Sequence, residues 1–270
     1  MNKCSMDSAD LTTSSPVRRY QKGSLVDHTI FLAREIPYTL FVNDIEVLSI
    51  STLPTHLREL FVGFLVSEGV LLSVEELFEC LVDHGNRLVR VELDVPEERL
   101  DKLQRKGMLT SGCAGGLIFS VEDGRRSPEV NRVPLVVSCT TILERMRELD
   151  TFPGIYSVTR GVHAASVADA SGTLQILEDL GRHNAVDKIV GYCFLEGIDT
   201  RNKLLLTTGR ITSEVLIKAA RGRFPIIVSR SSASSMAVAM AQRDGIDVVT
   251  YVRAGRFNYF SHGGVLLRDQ

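Results

Sequence analysis

Two kinds of residue in this 270-residue chain could do chemistry: one cysteine set among small residues, and arginines set in turns with hydroxyls and glycines. Cys113 lies in Thr110-Ser111-Gly112-Cys113-Ala114-Gly115-Gly116. Nothing in that run can bury a thiol, and an exposed thiol is a liability unless it is used. Such a thiol can serve as a protease nucleophile, metal ligand, redox switch or sulfur carrier. A hydrolase needs oxyanion donors and a His base, for which His163 and His183 are available. A zinc site needs clustered ligands and a dithiol switch needs a second nearby Cys, and neither is visible locally. Cys80, Cys139 and Cys193 lie in apolar runs and read as small core hydrophobes, while Cys4 falls in the N-terminal tail. The odd count and irregular spacing argue against a disulfide framework.

The arginines recur where apolar runs give way to polar turns. Gly181-Arg182-His183-Asn184, Gly209-Arg210-Ile211-Thr212-Ser213-Glu214 and Ser229-Arg230-Ser231-Ser232-Ala233-Ser234 each follow an extended apolar segment. Guanidinium forks, hydroxyls and free backbone donors suit phosphate or pyrophosphate oxygens. A single such turn reads equally well as helix capping with a solvated Arg, Asn184 being placed to cap a helix from Ala185. Three turns at one sheet edge point to a phosphorylated ligand. The run Tyr251-Val252-Arg253-Ala254-Gly255-Arg256 adds two arginines around a glycine, with aromatics that could stack on a flat ring.

The elements that must position these residues divide the chain in two. Residues 1 to about 20 are polar and lack periodicity, so an unstructured tail through residue 24 is expected. Residues 25–135 read as a smaller portion: a hairpin over Ile36–Ile50 turning at Asn43-Asp44, and a helix after Pro54 carrying Leu57, Leu60, Phe61, Phe64 and Leu65. Ser73 and Glu76 have capping-box spacing before LFECLV, which predicts a short helix there. Leu88–Leu93 reads as a strand and 97–107 as a charged helix or loop. Thr141 with Glu144 predicts a cap for the helix ILERMRELD. In residues 136–270, LQILEDL, KLLLTT, PIIVS and IDVVTYV alternate with helical segments, which implies crossovers and a largely parallel, covered sheet in an α/β domain.

Composition excludes several classes. Apolar residues make up 44% and charged residues 24%, so the chain is neither disordered nor membrane-like. A formal charge of −2 offers no global field for nucleic acid or anionic lipid. No run approaches the ~18 apolar residues of a membrane span, and the N-terminus lacks a secretory apolar core, so a cytoplasmic location is expected.

Gly161-Val162-His163-Ala164-Ala165 invites comparison with zinc deaminases, which need H-x-E and a later P-C-x-x-C. Ala165 stands where the Glu would be and no P-C-x-x-C follows, so His163 reads as a polar wall residue or substrate contact.

Taken together, Arg34–Leu40, Gly63–Gly69, Thr110–Gly116, the run GRHNAVDK at 181–188, Gly209–Glu214, Ser229-Arg230-Ser231 and the turn at 251–256 resemble the FdhD/NarQ family of formate dehydrogenase accessory sulfurtransferases. The resemblance runs from about residue 25 to 260. It implies a cytidine-deaminase-like three-layer α/β/α domain with a smaller N-terminal α+β portion, working as a homodimer. It also implies that sulfur is taken from a cysteine desulfurase as a persulfide and delivered to the bis-molybdopterin guanine dinucleotide form of the molybdenum cofactor for formate dehydrogenase, with a guanine nucleotide as a mimic of that cofactor. Carried over by position, the persulfide falls on Cys113 and the cofactor run on Tyr251 through Arg256, with Arg210, Ser229, Arg230, His163 and His183 as further contacts. Many family members have Cys-x-x-Cys at the loop; here its fourth position is Gly116, so a single cysteine must suffice. Arg160-Gly161 replaces the usual Gly-Gly before Val-His, an alteration at the pocket rim. A cofactor-binding chaperone without covalent chemistry is the alternative reading.

Overall fold

The computed structural model describes residues 11–104, 135–260, 263 and 265–268. Strands β1 (Thr12–Gln21) and β2 (Ser24–Ala33) form an antiparallel ribbon that turns at Lys22 and Gly23, both with positive φ. The expected tail is thus ordered strand from Thr12 onward. Its composition hides this because a two-stranded ribbon buries neither face and needs no apolar alternation. Residues 1–10 lie outside the described set.

Strands β3 (Ile36–Val42) and β4 (Ile45–Thr52) are the expected hairpin, with Asn43 and Asp44 at φ 47° and 63°. The Asn43 side chain also accepts from Leu93 N at 2.8 Å and donates to Leu93 O at 3.0 Å, tying the turn to a neighbouring strand. Helix α1 (Leu57–Ser67) starts later than Pro54 suggests, its N-cap being His56 at φ 52°. The Ser73/Glu76 capping box exists, but it closes only one 3-10 turn, Val74–Glu76. LFECLV then runs on as strand β5 (Leu77–Asp83), not helix, because it pairs antiparallel with β6 (Leu88–Leu93). Leu77, Cys80 and Val82 pack on the core through a bulge between Leu77 and Glu79. The sheet order is β4-β3-β6-β5, and α2 (Glu97–Gln104) follows it.

The second half supplies β7 (Leu135–Ser138), α3 (Cys139–Asp150), α4 (Ile155–Thr159), β8 (His163–Ala168), β9 (Thr173–Asp179) and α5 (Arg182–Leu195). It continues with β10 (Leu204–Thr207), α6 (Ser213–Arg221), β11 (Ile226–Ser229), α7 (Ser235–Asp244), β12 (Asp247–Arg253), β13 (Arg256–Phe260) and β14 (Val265–Arg268), which pairs with β7. The cap of α3 is Ser138, whose hydroxyl accepts from Thr141 N at 2.9 Å, one turn before the Thr141 expected. The central sheet has the order β13-β12-β11-β10-β8-β9. Strands β10, β11 and β12 are mutually parallel, but β8 lies antiparallel between β9 and β10, and β13 is antiparallel to β12. The sheet is therefore mixed rather than largely parallel. The helical crossovers match the alternation of apolar runs and helical segments, whereas the direction of the strand between β9 and β10 leaves no mark in that pattern.

Alternation along the strands builds three layers. Leu204, Leu206, Ile226, Val228 and Val249 pack with Ile142, Met146 and Leu149 of α3 on one face. Leu205, Ile227 and Val248 turn to the other face, toward α5, α6 and α7, and that core is continuous with α1 and the N-terminal sheet. The junction of the two portions is a backbone-to-backbone helix crossing. A Cβ on Gly63 of α1 would overlap the Asp187 carbonyl, and one on Gly191 of α5 would overlap that of Glu59. No described helix is long and apolar enough to cross a membrane.

Candidate functional site: a cationic cleft at the sheet edge

Strands β9, β10, β11 and β12 all point their carboxyl ends to one edge, and reversed β8 begins there with His163. Open α/β sheets bind ligands at that edge. A cleft of about 550 Å³ opens there. That is within the usual span for a small-molecule site, roughly 300–1,000 Å³. The strand side contributes His163, Thr208, Arg230, Ser231, Tyr251 and Arg253; the end of α3 and the segment after it contribute Asp150, Phe152, Tyr156 and Arg160.

Each aromatic wall is fixed by its backbone. Tyr251 sits in β12 at φ 56°, within a register shift between Thr250 and Arg253, and its N–H donates to Ser231 O at 2.9 Å. A bulky residue in the left-handed region is held there only by its surroundings, and a bulge re-aims the side chain it carries. The Arg253 guanidinium lies 5.6 Å from the centre of the Tyr251 ring. Opposite, the five-residue helix α4 is held by Glu178, whose carboxylate accepts from Ile155 N at 2.7 Å and Tyr156 N at 2.9 Å. Gly154 leaves room for that carboxylate, which a Cβ would overlap. Helix α4 ends on Arg160 at φ 57°, with its guanidinium 5.0 Å from the Tyr156 ring centre. Arg160 thus holds a backbone conformation that favours glycine and adds a cation to the rim.

Between these walls, Arg230 Nη1 donates to Asp150 Oδ1 at 3.2 Å. Burial pushes the Asp150 carboxyl up, with Arg230 pulling the other way. His163 Nδ1 is 3.4 Å from Thr208 Oγ1. Burial, then the charges of Arg182 and Arg210, hold His163 below its usual range against the pull of Asp179, so it is neutral at pH 7. The cleft therefore carries three guanidinium groups against the carboxylates of Asp150 and Glu178, the latter committed to α4.

The remaining expected contacts are placed elsewhere. Ser229 is fully buried, donating to Gly209 O at 2.6 Å and accepting from Ser231 N at 2.9 Å, so it clamps the two turns rather than facing a ligand. Val252 is core, 1% exposed. Ala254 and Gly255, both at positive φ, form the β12–β13 turn, and Arg256 opens β13; none of the three lines the cleft. His183 sits on the α6 side of the edge, its Nε2 3.3 Å from Glu214 Oε2. Burial, followed by Lys218, Arg182 and His163, pushes its pKa down to about 3, so this contact joins a neutral imidazole to a carboxylate. Arg210 is exposed outside the cleft lining. Cys113 and its loop lie outside the described residues. Of the described cysteines, Cys80 and Cys193 have thiols pushed up to about 12 by burial, leaving roughly one thiolate in 10⁵ at pH 7.

The run GRHNAVDK proves largely architectural. Asp179 is fully buried and receives Lys188 Nζ at 2.7 Å, Leu53 N at 3.3 Å, Gly181 N at 3.1 Å, Asn184 Nδ2 at 2.8 Å and the Thr52 hydroxyl. Lys188 also donates to Leu53 O and Glu178 O. Asp187 accepts from Ser67 Oγ and Lys218 Nζ, each at 2.7 Å. Asn184 does not cap α5, whose N-cap is Gly181; it ties Asp179 to Ser51 O. Sequence reasoning set Arg160 at the pocket rim, where it lies, but missed Asp150, Phe152, Tyr156, Glu178 and Thr208. The one signal for them is the Asp150-x-Phe152-Pro153-Gly154 break that closes α3 ahead of an i, i+4 Tyr156/Arg160 pair.

Fold and edge together define an α/β protein with a cationic, aromatic-walled cleft at the carboxyl ends of its central strands. The FdhD/NarQ family profile matches residues 33–266, and the chain belongs to that family. Two curated relatives, both sulfur carrier proteins FdhD from Staphylococcus aureus strains JH9 and Newman, are 34% identical over 253 residues, covering 94% of this chain and 96% of theirs. A crystal structure from Desulfotalea psychrophila, described as that of a putative formate dehydrogenase accessory protein, superposes with a TM-score of 0.75 at 29% identity, covering 95% of this chain and all of that one.

Proposed function

We propose that this protein is a sulfur carrier for formate dehydrogenase, receiving sulfur on Cys113 and handing it to the molybdenum cofactor before that cofactor is inserted. The Cys113 thiolate attacks the terminal sulfur of a cysteine desulfurase persulfide. The S–S bond of the donor breaks, its cysteine leaves as thiolate, and Cys113 becomes the persulfide, with no external oxidant. Transfer of the outer sulfur to the cofactor breaks the Cys113 S–S bond and returns Cys113 to thiolate, the two electrons that bring the sulfane sulfur to sulfide coming from the metal of the cargo in its reduced state. The cofactor is cargo, and its guanylate end occupies the cleft, with phosphates on Arg160 and Arg253.

The observation that carries this reading is the convergence of Arg160, Arg230 and Arg253 with Tyr156 and Tyr251 at one sheet edge. The naming of the relatives as sulfur carriers supports the covalent half, as does the unreactive burial of Cys80 and Cys193. A homodimer fits the β1–β2 ribbon, where Tyr20, Leu25, Phe31 and Leu32 are 73%, 52%, 49% and 48% exposed and an isolated hairpin gains by being covered. The test is Cys113→Ala in cells lacking the native protein. The variant is expected to fold and bind guanine nucleotide while formate dehydrogenase stays inactive; restored activity would overturn the carrier role in favour of a binding chaperone.

A further inference from the structure

Resting on the reading that the cleft takes a guanylate group, we propose that Asp150 and Arg230 together read the Watson–Crick edge of the guanine. The two residues are 80 positions apart, yet both line the cleft, and Arg230 Nη1 donates to Asp150 Oδ1 at 3.2 Å. A guanidinium donor and a carboxylate acceptor therefore stand side by side. Guanine offers the matching row on one edge: O6 accepts, while N1–H and the 2-amino group donate. Arg230 keeps most of its five N–H donors free for O6, and the second Asp150 oxygen has no partner among the described residues. Adenine presents a donor where Arg230 needs an acceptor and an acceptor where Asp150 needs a donor, so it is opposed at both positions.

Burial supports the assignment. The Asp150 side chain is 25% exposed, and its carboxyl is pushed up by burial despite the adjacent guanidinium, the condition of a carboxylate short of donors. Two N–H groups of a guanine would supply them. The other two cations of the cleft suit phosphate oxygens instead, since Arg160 and Arg253 lie over tyrosine rings with no carboxylate partner among the described residues. Phe152, Tyr156 and Tyr251 offer faces for the base to stack on. The cleft is thus divided into a base-reading pair and two phosphate-holding arginines.

The full-length protein and its Asp150→Asn variant are titrated calorimetrically with GDP, IDP, XDP and ADP, with circular dichroism verifying the fold of each. The wild type is expected to bind GDP about tenfold more tightly than IDP, which lacks the 2-amino group, and about a hundredfold more tightly than ADP. In Asp150→Asn the preference is expected to pass from GDP to XDP, because an amide N–H can donate to the xanthine 2-carbonyl. That gain of XDP binding also shows an intact cleft. A GDP preference unchanged in Asp150→Asn overturns the assignment while leaving the nucleotide cleft in place. Failure of the wild type to bind GDP at all overturns the cleft reading itself, and the assignment with it.

Discussion

Glu178 and Asp179, the last two residues of β9, send their carboxylates to opposite faces of the central sheet. Glu178 accepts from the N–H groups of Ile155 and Tyr156 and so holds the cleft wall, while Asp179 takes Lys188 and Asn184 and so holds α5. Strand alternation alone produces this division. One strand end thereby anchors both the ligand-facing side of the edge and the packed junction with the N-terminal portion.

Removing the cation from the Asp179 side should be severe. With both side chains of the pair 0% exposed, Lys188→Met leaves a buried carboxylate without its counter-charge. A loss of about 3–5 kcal/mol is expected in urea unfolding. The double variant Asp179→Asn, Lys188→Met should recover part of that loss; a Lys188→Met protein as stable as wild type would contradict the clamp.

On the other face, Glu178→Gln keeps one acceptor oxygen and loses the charge that draws two backbone donors. Nucleotide affinity should fall about tenfold as α4 loosens, with a global stability loss of roughly 1–3 kcal/mol. Unchanged affinity alongside reduced stability would separate Glu178 from the cleft.

The helix crossing admits no side chain. Gly63→Ala would drive a methyl into the Asp187 carbonyl, so α1 and α5 must separate, at a cost of about 1–3 kcal/mol or more. A melting temperature at or above that of wild type would show that the helices can shift freely.

Acid should destabilise the protein through His183. Its folded pKa of about 3 lies below the unfolded value of ~6.5, so between those limits the unfolded chain binds more protons and stability falls as pH falls. The contribution is fully present above pH ~6.5. About 2 kcal/mol of it is lost between pH 6.5 and 5. His163, depressed in the same direction, adds to the slope. Chemical denaturation across that range should be visibly flatter in His183→Gln; identical slopes would contradict a neutral, buried His183.

The sequence was most legible where one local rule decides the outcome. Asn43-Asp44 specified its hairpin because both residues tolerate left-handed backbone, and the spacing of Leu57 to Leu65 specified α1. Four same-direction strands with arginine turns were also legible, and Arg230 does meet Arg253 at one edge. Orientation was not. Ser229 and Val252 belong to motifs that reach the edge, yet their side chains turn inward, which depends on strand register rather than spacing. LFECLV is too short a run to separate strand from helix without its partner β6. Asp150 ends the predicted helix α3 and Tyr156 and Arg160 belong to the short α4, and only the packing of α3 on the sheet and the hold of Glu178 on α4 bring them to the edge with Arg230. In GRHNAVDK, the charges of Asp187 and Lys188 look functional in one dimension because their partners, Lys218 and Asp179, lie elsewhere in the chain.

The most direct test concerns the sulfur. Full-length protein is incubated with a cysteine desulfurase and cysteine, then analysed by intact and peptide mass spectrometry. A gain of one sulfur atom on the Cys113 peptide, with Cys80 and Cys193 unmodified and the gain reversed by a thiol reductant, is the expected result. A protein that gains no sulfur, or gains it on Cys80 or Cys193 with Cys113 untouched, would contradict the assignment of Cys113 as the carrier.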